Sequence, residues 1–135
     1  MKYTVVAVGR IRPPFSDDLQ HYEKLLGGHA RVELVEVRED EQVERRIPPR
    51  SYRVLLDVAG KTYDSFAFAR WLEERRQGRR DVCFVVGGPY GTELERCDER
   101  LSFGPMTFPH QLARVLLLEQ LYRGHKILAG EPYHH

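Results

Sequence analysis

Short runs of Val, Leu and Phe alternate with segments of helical spacing along this chain, and that alternation constrains its fold more than any other feature. Residues 3–9 (YTVVAVG), 32–37 (VELVEV), 52–59 (YRVLLDVA) and 81–87 (DVCFVVG) read as strands, with a brief fifth at 101–103. Residues 15–26 carry Leu19, Tyr22, Leu25 and Leu26 at helical spacing, and Gly27-Gly28 stop that helix. Asp64 or Ser65 caps a second helix running through Arg76, with Phe68, Trp71 and Leu72 on its inner face. A short polar helix is expected near residues 92–98, and Pro109 opens a long one to about Leu128. Residues 38–51 are charged and contain Pro48-Pro49, which makes them a connector, and Gly60-Lys61 end the third strand. Continuously apolar strands belong to a parallel sheet buried on both sides. The expected fold is therefore one α/β domain over residues 1–135, with helices on both faces of the sheet. Such sheets bind ligands beyond the carboxyl ends of their strands, which singles out the loops after Leu56-Asp57, Val86 and Phe103.

At 135 residues the chain is long enough to bury a core without staples. Charged residues make up 30% but nearly cancel, to a net charge of +1, which excludes a basic nucleic-acid tail and an acidic disordered one. No apolar run approaches the ~18–20 residues of a membrane span, and the first residues lack the apolar stretch and cleavage site of a signal peptide. Cys83 and Cys97 alone make neither a disulfide framework nor a metal site. A cytoplasmic protein with free thiols, no metal and no membrane contact is expected. Of the 21 basic residues 17 are Arg, and Asn is absent, a bias that heat adaptation and a GC-rich genome both produce.

The last helix carries apolar residues around nearly its whole circumference: Leu112, Ala113, Val115, Leu116, Leu117, Leu118, Leu121, Tyr122, Ile127 and Leu128. A surface helix needs one apolar stripe. The sheet covers one side, so the other is expected to meet a second subunit in a two-fold dimer, with Leu117 and Leu121 on that face.

Three stretches could carry chemistry. Gly87-Gly88-Pro89-Tyr90-Gly91 follows the most apolar strand, and either lets a ligand lie against backbone or makes a tight strand-to-helix turn. It is not a dinucleotide or ATP fingerprint. Residues 101–111 (LSFGPMTFPHQ) form a strand end, an apolar loop of restricted conformation and a helix N-terminus, suited to wrapping an adenine through backbone bonds. His110 stands in that helix's first turn, where the dipole disfavours protonation and leaves a neutral, proton-accepting ring. The tail, GEPYHH, is either a frayed end or tag remnant, or a flap bringing Tyr133 and His134 to a site. Arg75, Arg76, Arg79 and Arg80 complement a helix C-terminus or contact phosphate. Arg45, Arg46, Arg50 and Arg53 form a second basic group that Asp40, Glu41 and Glu44 dilute.

The stretch LSFGPMTFPHQLARVLLLEQLYRGHKILAGEPYHH resembles the end of the bacterial RlmH proteins, SPOUT-class methyltransferases of large-subunit ribosomal RNA. MKYTVVAVGR, LLDVAGK and VVGGPYG match the family's other landmarks in order, so the resemblance spans nearly the whole chain. It implies a C-terminal deep trefoil knot, which the general rule against threaded chains would not suggest. It also implies a homodimer, S-adenosyl-L-methionine as cofactor, and methylation of N3 of a pseudouridine in 23S rRNA within the assembled ribosome. The family's cofactor-binding positions fall on Leu56, Gly87, Phe103, Gly104, Pro105, Met106, Thr107 and Phe108. The connector between Val37 and Tyr52 is shorter than the family's usual charged helix, and the chain ends in His135 where many relatives carry Arg or Lys.

The implied mechanism is mostly positioning for in-line attack. The imide N3–H must lose a proton, and His110, Tyr133 and His134 are the candidate acceptors. Two rivals stand beside this reading: a non-catalytic dimeric nucleotide- or ribosome-binding module of the same fold, and an ordinary Rossmann-like small-molecule enzyme.

Overall fold

The computed structural model describes residues 1–88 and 91–133. Strand β1 (Lys2–Val8) leads through helix α1 (Phe15–Leu26) to β2 (Arg31–Val37). Then come β3 (Tyr52–Thr62), α2 (Ser65–Gln77), β4 (Val82–Val86), β5 (Glu99–Ser102) and α3 (His110–Leu128). The strands pair in the order β2-β1-β4-β3-β5, and every pairing is parallel. All strands therefore end on one side, where a parallel sheet presents its loops to a ligand. No helix among the described residues is long and apolar enough to cross a membrane.

The pleat divides the core in two. Tyr3, Val5, Ala7, Val54, Phe84 and Val86 face one way, and all three helices cover them through Leu19, Leu26, Phe68, Trp71, Leu72, Val115, Leu117, Leu118 and Leu121. Val6, Val8, Val35, Val37, Leu55, Cys83 and Val85 face the other way, where no helix covers them among the described residues. The expectation of helices on both faces is thus corrected. The second face is covered by the 38–51 segment, through Val43 (0% exposed) and Ile47 (7%), with Leu94 and Cys97 beside them. Two single 3₁₀ turns, Asp40–Gln42 and Glu44–Arg46, shape that segment. Burying Val43 and Ile47 contributes roughly 1.5–3 kcal/mol each, so the segment is a packed cover and not merely a connector.

The last helix lies between α1 and α2 and packs on both as well as on the sheet. This position explains its all-round apolar character within one chain. Leu117 and Leu121 are wholly buried in the chain's own core, so they are not free to face a second subunit. The apolar surface that remains exposed nearby is Phe66, Phe108 and Leu128, with half-buried Leu116.

Two local expectations also change. Residues 91–98 form no helix. Long-range polar bonds hold them instead: Glu95 N–H donates to Glu44 at 3.1 Å, and Arg53 N–H donates to Asp98 at 2.8 Å. The third strand does not stop at Gly60-Lys61 but runs to Thr62, with its register against β5 shifting between Leu56 and Lys61. A Cβ on Gly60 would stand 2.6–2.8 Å from backbone atoms of Arg100 and Leu101, so glycine is needed there for close strand approach. Helix α2 begins where the capping residue predicts, with the Asp64 carboxylate accepting Ala67 N–H at 2.7 Å.

Candidate active site

A cleft of about 350 Å³ opens at the carboxyl ends of β3, β4 and β5. Its wall includes Leu56, Asp57, Gly87, Phe103, Met106 and His110, and each of the three loops marked by the sequence contributes to it. The irregularity in β3 makes the first part. Asp57 accepts Ala59 N–H at 3.0 Å and pairs with Arg100 at 2.6 Å, while Ser102 Oγ donates to the Val58 carbonyl at 3.0 Å. These bonds fix the irregular part of the strand, whose Asp57 and Val58 line the cleft. The Ala59 amide, and after it Arg100, hold the Asp57 carboxyl below the usual carboxylate range, so the cleft carries an ionised acid at neutral pH.

The glycine loop makes the second part. A Cβ on Gly87 would meet Thr92 Oγ1 at 2.7 Å, so this glycine admits the Thr92 side chain against the strand end. Thr92 Oγ1 in turn donates to Asp40, which also accepts Gly88 N–H at 3.4 Å. The segment covering the sheet's second face thereby fixes the loop at the cleft. At Gly104 the reason for glycine differs: φ is +126° with open space around it, a conformation L-residues avoid.

The third part is the 103–108 loop and the start of α3. Phe103, Met106, Thr107 and Phe108 line the cleft, and Met106 is 74% exposed. Gly104 lies instead on an adjoining apolar groove with Leu116 and Gln120, and Pro105 lines neither. Upstream, Glu99 anchors β5 by accepting bonds from Tyr52 Oη (3.2 Å), Tyr63 Oη (2.5 Å) and Trp71 Nε1 (3.1 Å).

His110 reaches the cleft from the first turn of α3. Burial, and then the Arg114 charge, lower its pKa, so the ring is neutral at pH 7. Arg114 is itself buried. It donates to Glu36 at 2.7 Å and to the carbonyls of Val8 and Gly9 at 2.9 and 2.6 Å, tying α3 to the end of β1.

Tyr133 is not brought to this cleft within the chain. The tail turns back along α3, where Tyr133 Oη donates to Glu119 at 2.9 Å and Arg123 lies 4.3 Å from its ring centre. Glu119 is nine residues beyond His110, about 13 Å along the helix. Burial and the Glu119 bond raise the Tyr133 pKa, which makes a phenolate acceptor unfavourable here. His134 lies outside the described residues.

Sequence reasoning missed four residues that build the cleft: Asp57, Arg100, Thr92 and Asp40. An acid directly after the apolar run of β3 was the available signal for Asp57. The others depend on contacts across 43–52 residues of sequence. The cleft therefore offers apolar and aromatic walls for a flat ring, an Asp57–Arg100 ion pair in its wall, and a neutral imidazole to take a proton.

Residues 1–134 match the family model described as predicted SPOUT methyltransferase. Three relatives named ribosomal RNA large subunit methyltransferase H are similar over nearly their whole length. That of Carboxydothermus hydrogenoformans is 38% identical over 99% of both chains. That of Gluconacetobacter diazotrophicus is 44% identical over 96% of this chain and 95% of the relative. That of Gemmatimonas aurantiaca is 36% identical over 99% of both.

Proposed function

The chain belongs to the SPOUT methyltransferase family, and from that premise we propose that it transfers a methyl group from S-adenosyl-L-methionine to N3 of a pseudouridine in 23S ribosomal RNA within the assembled ribosome. The observation that carries this reading is the cleft, in which Leu56, Gly87, Phe103, Met106, Thr107 and Phe108 meet His110. The chemistry of the wall fits the cofactor. Leu56, Phe103, Met106 and Phe108 match its adenine, and ionised Asp57 offsets the Arg100 charge that a molecule of net positive charge would otherwise meet. When bound, the cofactor supplies a methyl group already activated by a positive sulfur.

His110 is the proton acceptor best supported within one chain. It is neutral at working pH and lines the cleft. Arg114 fixes the helix turn below it through three bonds to Glu36 and the end of β1. Asp57 keeps Arg100 paired in the cleft wall without taking the proton, since its own pKa is lowered. Tyr133 serves, in this reading, at the site of a second copy of the chain. The exposed apolar residues Phe66, Phe108 and Leu128 support such a homodimer. The route of the chain from the edge strand β5 back to a place between α1 and α2 supports a C-terminal knot.

Calorimetric titration with S-adenosyl-L-methionine tests the cofactor site. Wild type binds it, and Asp57→Asn weakens that binding by about three- to tenfold, or ~0.7–1.4 kcal/mol, while affecting the uncharged thioether product less. Absence of binding to the wild type would remove the cleft's proposed role.

A further inference from the structure

Arg10, Arg12, Arg38, Arg45 and Arg46 are all exposed, and none has an ion-pair partner among the described residues. They follow the carboxyl ends of β1 and β2. In the sequence they are interleaved with Glu36, Glu39, Asp40, Glu41 and Glu44, which on paper cancel them. In the fold four of the five acids are engaged by other partners, while the five arginines are left without an ion-pair partner among the described residues. Glu36 pairs with Arg114 at 2.7 Å and accepts Ile11 N–H at 2.8 Å. Glu39 is engaged in a capping box with Gln42. Asp40 bonds Thr92 and Gly88 at the glycine loop. Glu44 pairs with Arg53 at 2.6 Å and accepts Glu95 N–H. Glu36 and Glu39 stay exposed while so engaged, and Glu41 is exposed without such a bond among the described residues.

Three of these arginines share a groove of their own, and the other two are linked to the start of α3 beside the cleft. Arg38, Arg45 and Arg46 line a groove of about 240 Å³ with Val37, Gln42 and Glu36, whose carboxylate is paired with Arg114. Gln111, next to His110, accepts Arg12 N–H at 2.9 Å and donates to the Arg10 carbonyl at 3.2 Å. Like charges gathered on one surface repel, and no ion pair to these arginines among the described residues offsets that cost. An anionic partner does. Guanidinium groups suit phosphate geometry, and a protein of net charge +1 gains RNA affinity only where its positive charge is concentrated.

We propose that these five arginines form the track on which the phosphate backbone of the substrate RNA lies, beside the cleft that receives the target base. This rests on the proposed function, and it identifies a surface that the short 38–51 segment provides without a long charged helix. Three double variants test it: Arg10→Gln/Arg12→Gln, Arg45→Gln/Arg46→Gln, and a control of equal charge, Arg31→Gln/Arg79→Gln. The control's arginines are also exposed, but they lie at the amino ends of β2 and β4.

Binding to ribosomes lacking the modification is measured from 50 to 200 mM salt, with calorimetry for the cofactor alongside. Each track variant should bind ribosomes about tenfold or more weakly near physiological salt. Each should also lower the slope of log affinity against log salt by roughly 1–2, with cofactor affinity unchanged. The control should stay within about twofold of wild type. Track variants that lose no more than the control would overturn the proposal while leaving the function standing. Failure of wild type itself to bind ribosomes would overturn both.

Discussion

Replacing Arg114 with Met examines how the first turn of α3 is held against the sheet. The guanidinium donates to Glu36 and to the Val8 and Gly9 carbonyls at 2.6–2.9 Å. Losing it strands two carbonyls, of which that of Val8 is buried, at about 1–1.5 kcal/mol each. The half-exposed Glu36 keeps its Ile11 bond and water, so breaking that pair adds about 1 kcal/mol. Against this, Met removes a buried charge and the Arg114 Nε, which has no partner among the described residues. That relief is worth about 1 kcal/mol. The net expectation is a loss of about 2–3 kcal/mol, a sizeable share of a typical domain stability of ~5–15 kcal/mol. Urea melts read it as a lower midpoint at constant slope. Proton NMR reads the second consequence: with the neighbouring charge gone, the His110 pKa rises toward its ordinary value. A loss under ~0.5 kcal/mol, or a His110 pKa that stays put, would refute the role given to Arg114.

Three further outcomes follow from the same geometry. Gly60→Ala forces a Cβ onto the backbone of Arg100 and Leu101, so stability should fall by about 1–3 kcal/mol in urea and cofactor affinity should fall with it; an unchanged midpoint would contradict the strand contact. His125, which shares a 2.7 Å bond with Tyr3, has its pKa lowered by burial to about 4. Because the unfolded ring takes a proton first as pH falls, wild type should lose about 2 kcal/mol between pH 6.5 and 4 beyond what His125→Gln loses, with screening of a half-buried ring allowed for; parallel curves would contradict it. Deleting residues 132–135 should leave cofactor binding and sedimentation nearly unchanged while single-turnover methyl transfer falls at least about 10–150-fold, or ~1–3 kcal/mol of barrier; equal rates would make the tail dispensable.

The strands and helices that read most clearly were those whose signal is local. β1 and β4 are buried on both faces, so they appear as plain apolar runs; the edge strand β2 shows as an alternation, and α1 and α2 carry their own stops and caps. The strand-end loops were legible for a topological reason, since every strand of a parallel sheet points the same way. What failed was whatever depends on distant partners. A helix's sequence does not say which face of the sheet its crossover takes, so three helices on one side were not foreseen. Leu117 and Leu121 look available for a partner until α1 and α2 close on α3. Residues 92–98 have polar spacing compatible with a helix, but bonds to Glu44 and Arg53 hold them open. Gly60 signals a turn equally well whether the chain leaves the sheet or presses on a neighbouring strand. Around residues 36–46, adding charges in sequence hides that, among the described residues, most of the acids are engaged by distant partners while the arginines are not.

Single-turnover transfer of labelled methyl from S-adenosyl-L-methionine to ribosomes lacking the modification, followed by mapping of the labelled nucleotide, tests the central claim most directly. The account predicts one methyl group per ribosome, on N3 of a pseudouridine in 23S rRNA, at a rate that falls steeply when His110 is replaced by Ala. Label on another RNA, on protein, or on nothing at all under conditions where the cofactor is bound would contradict it.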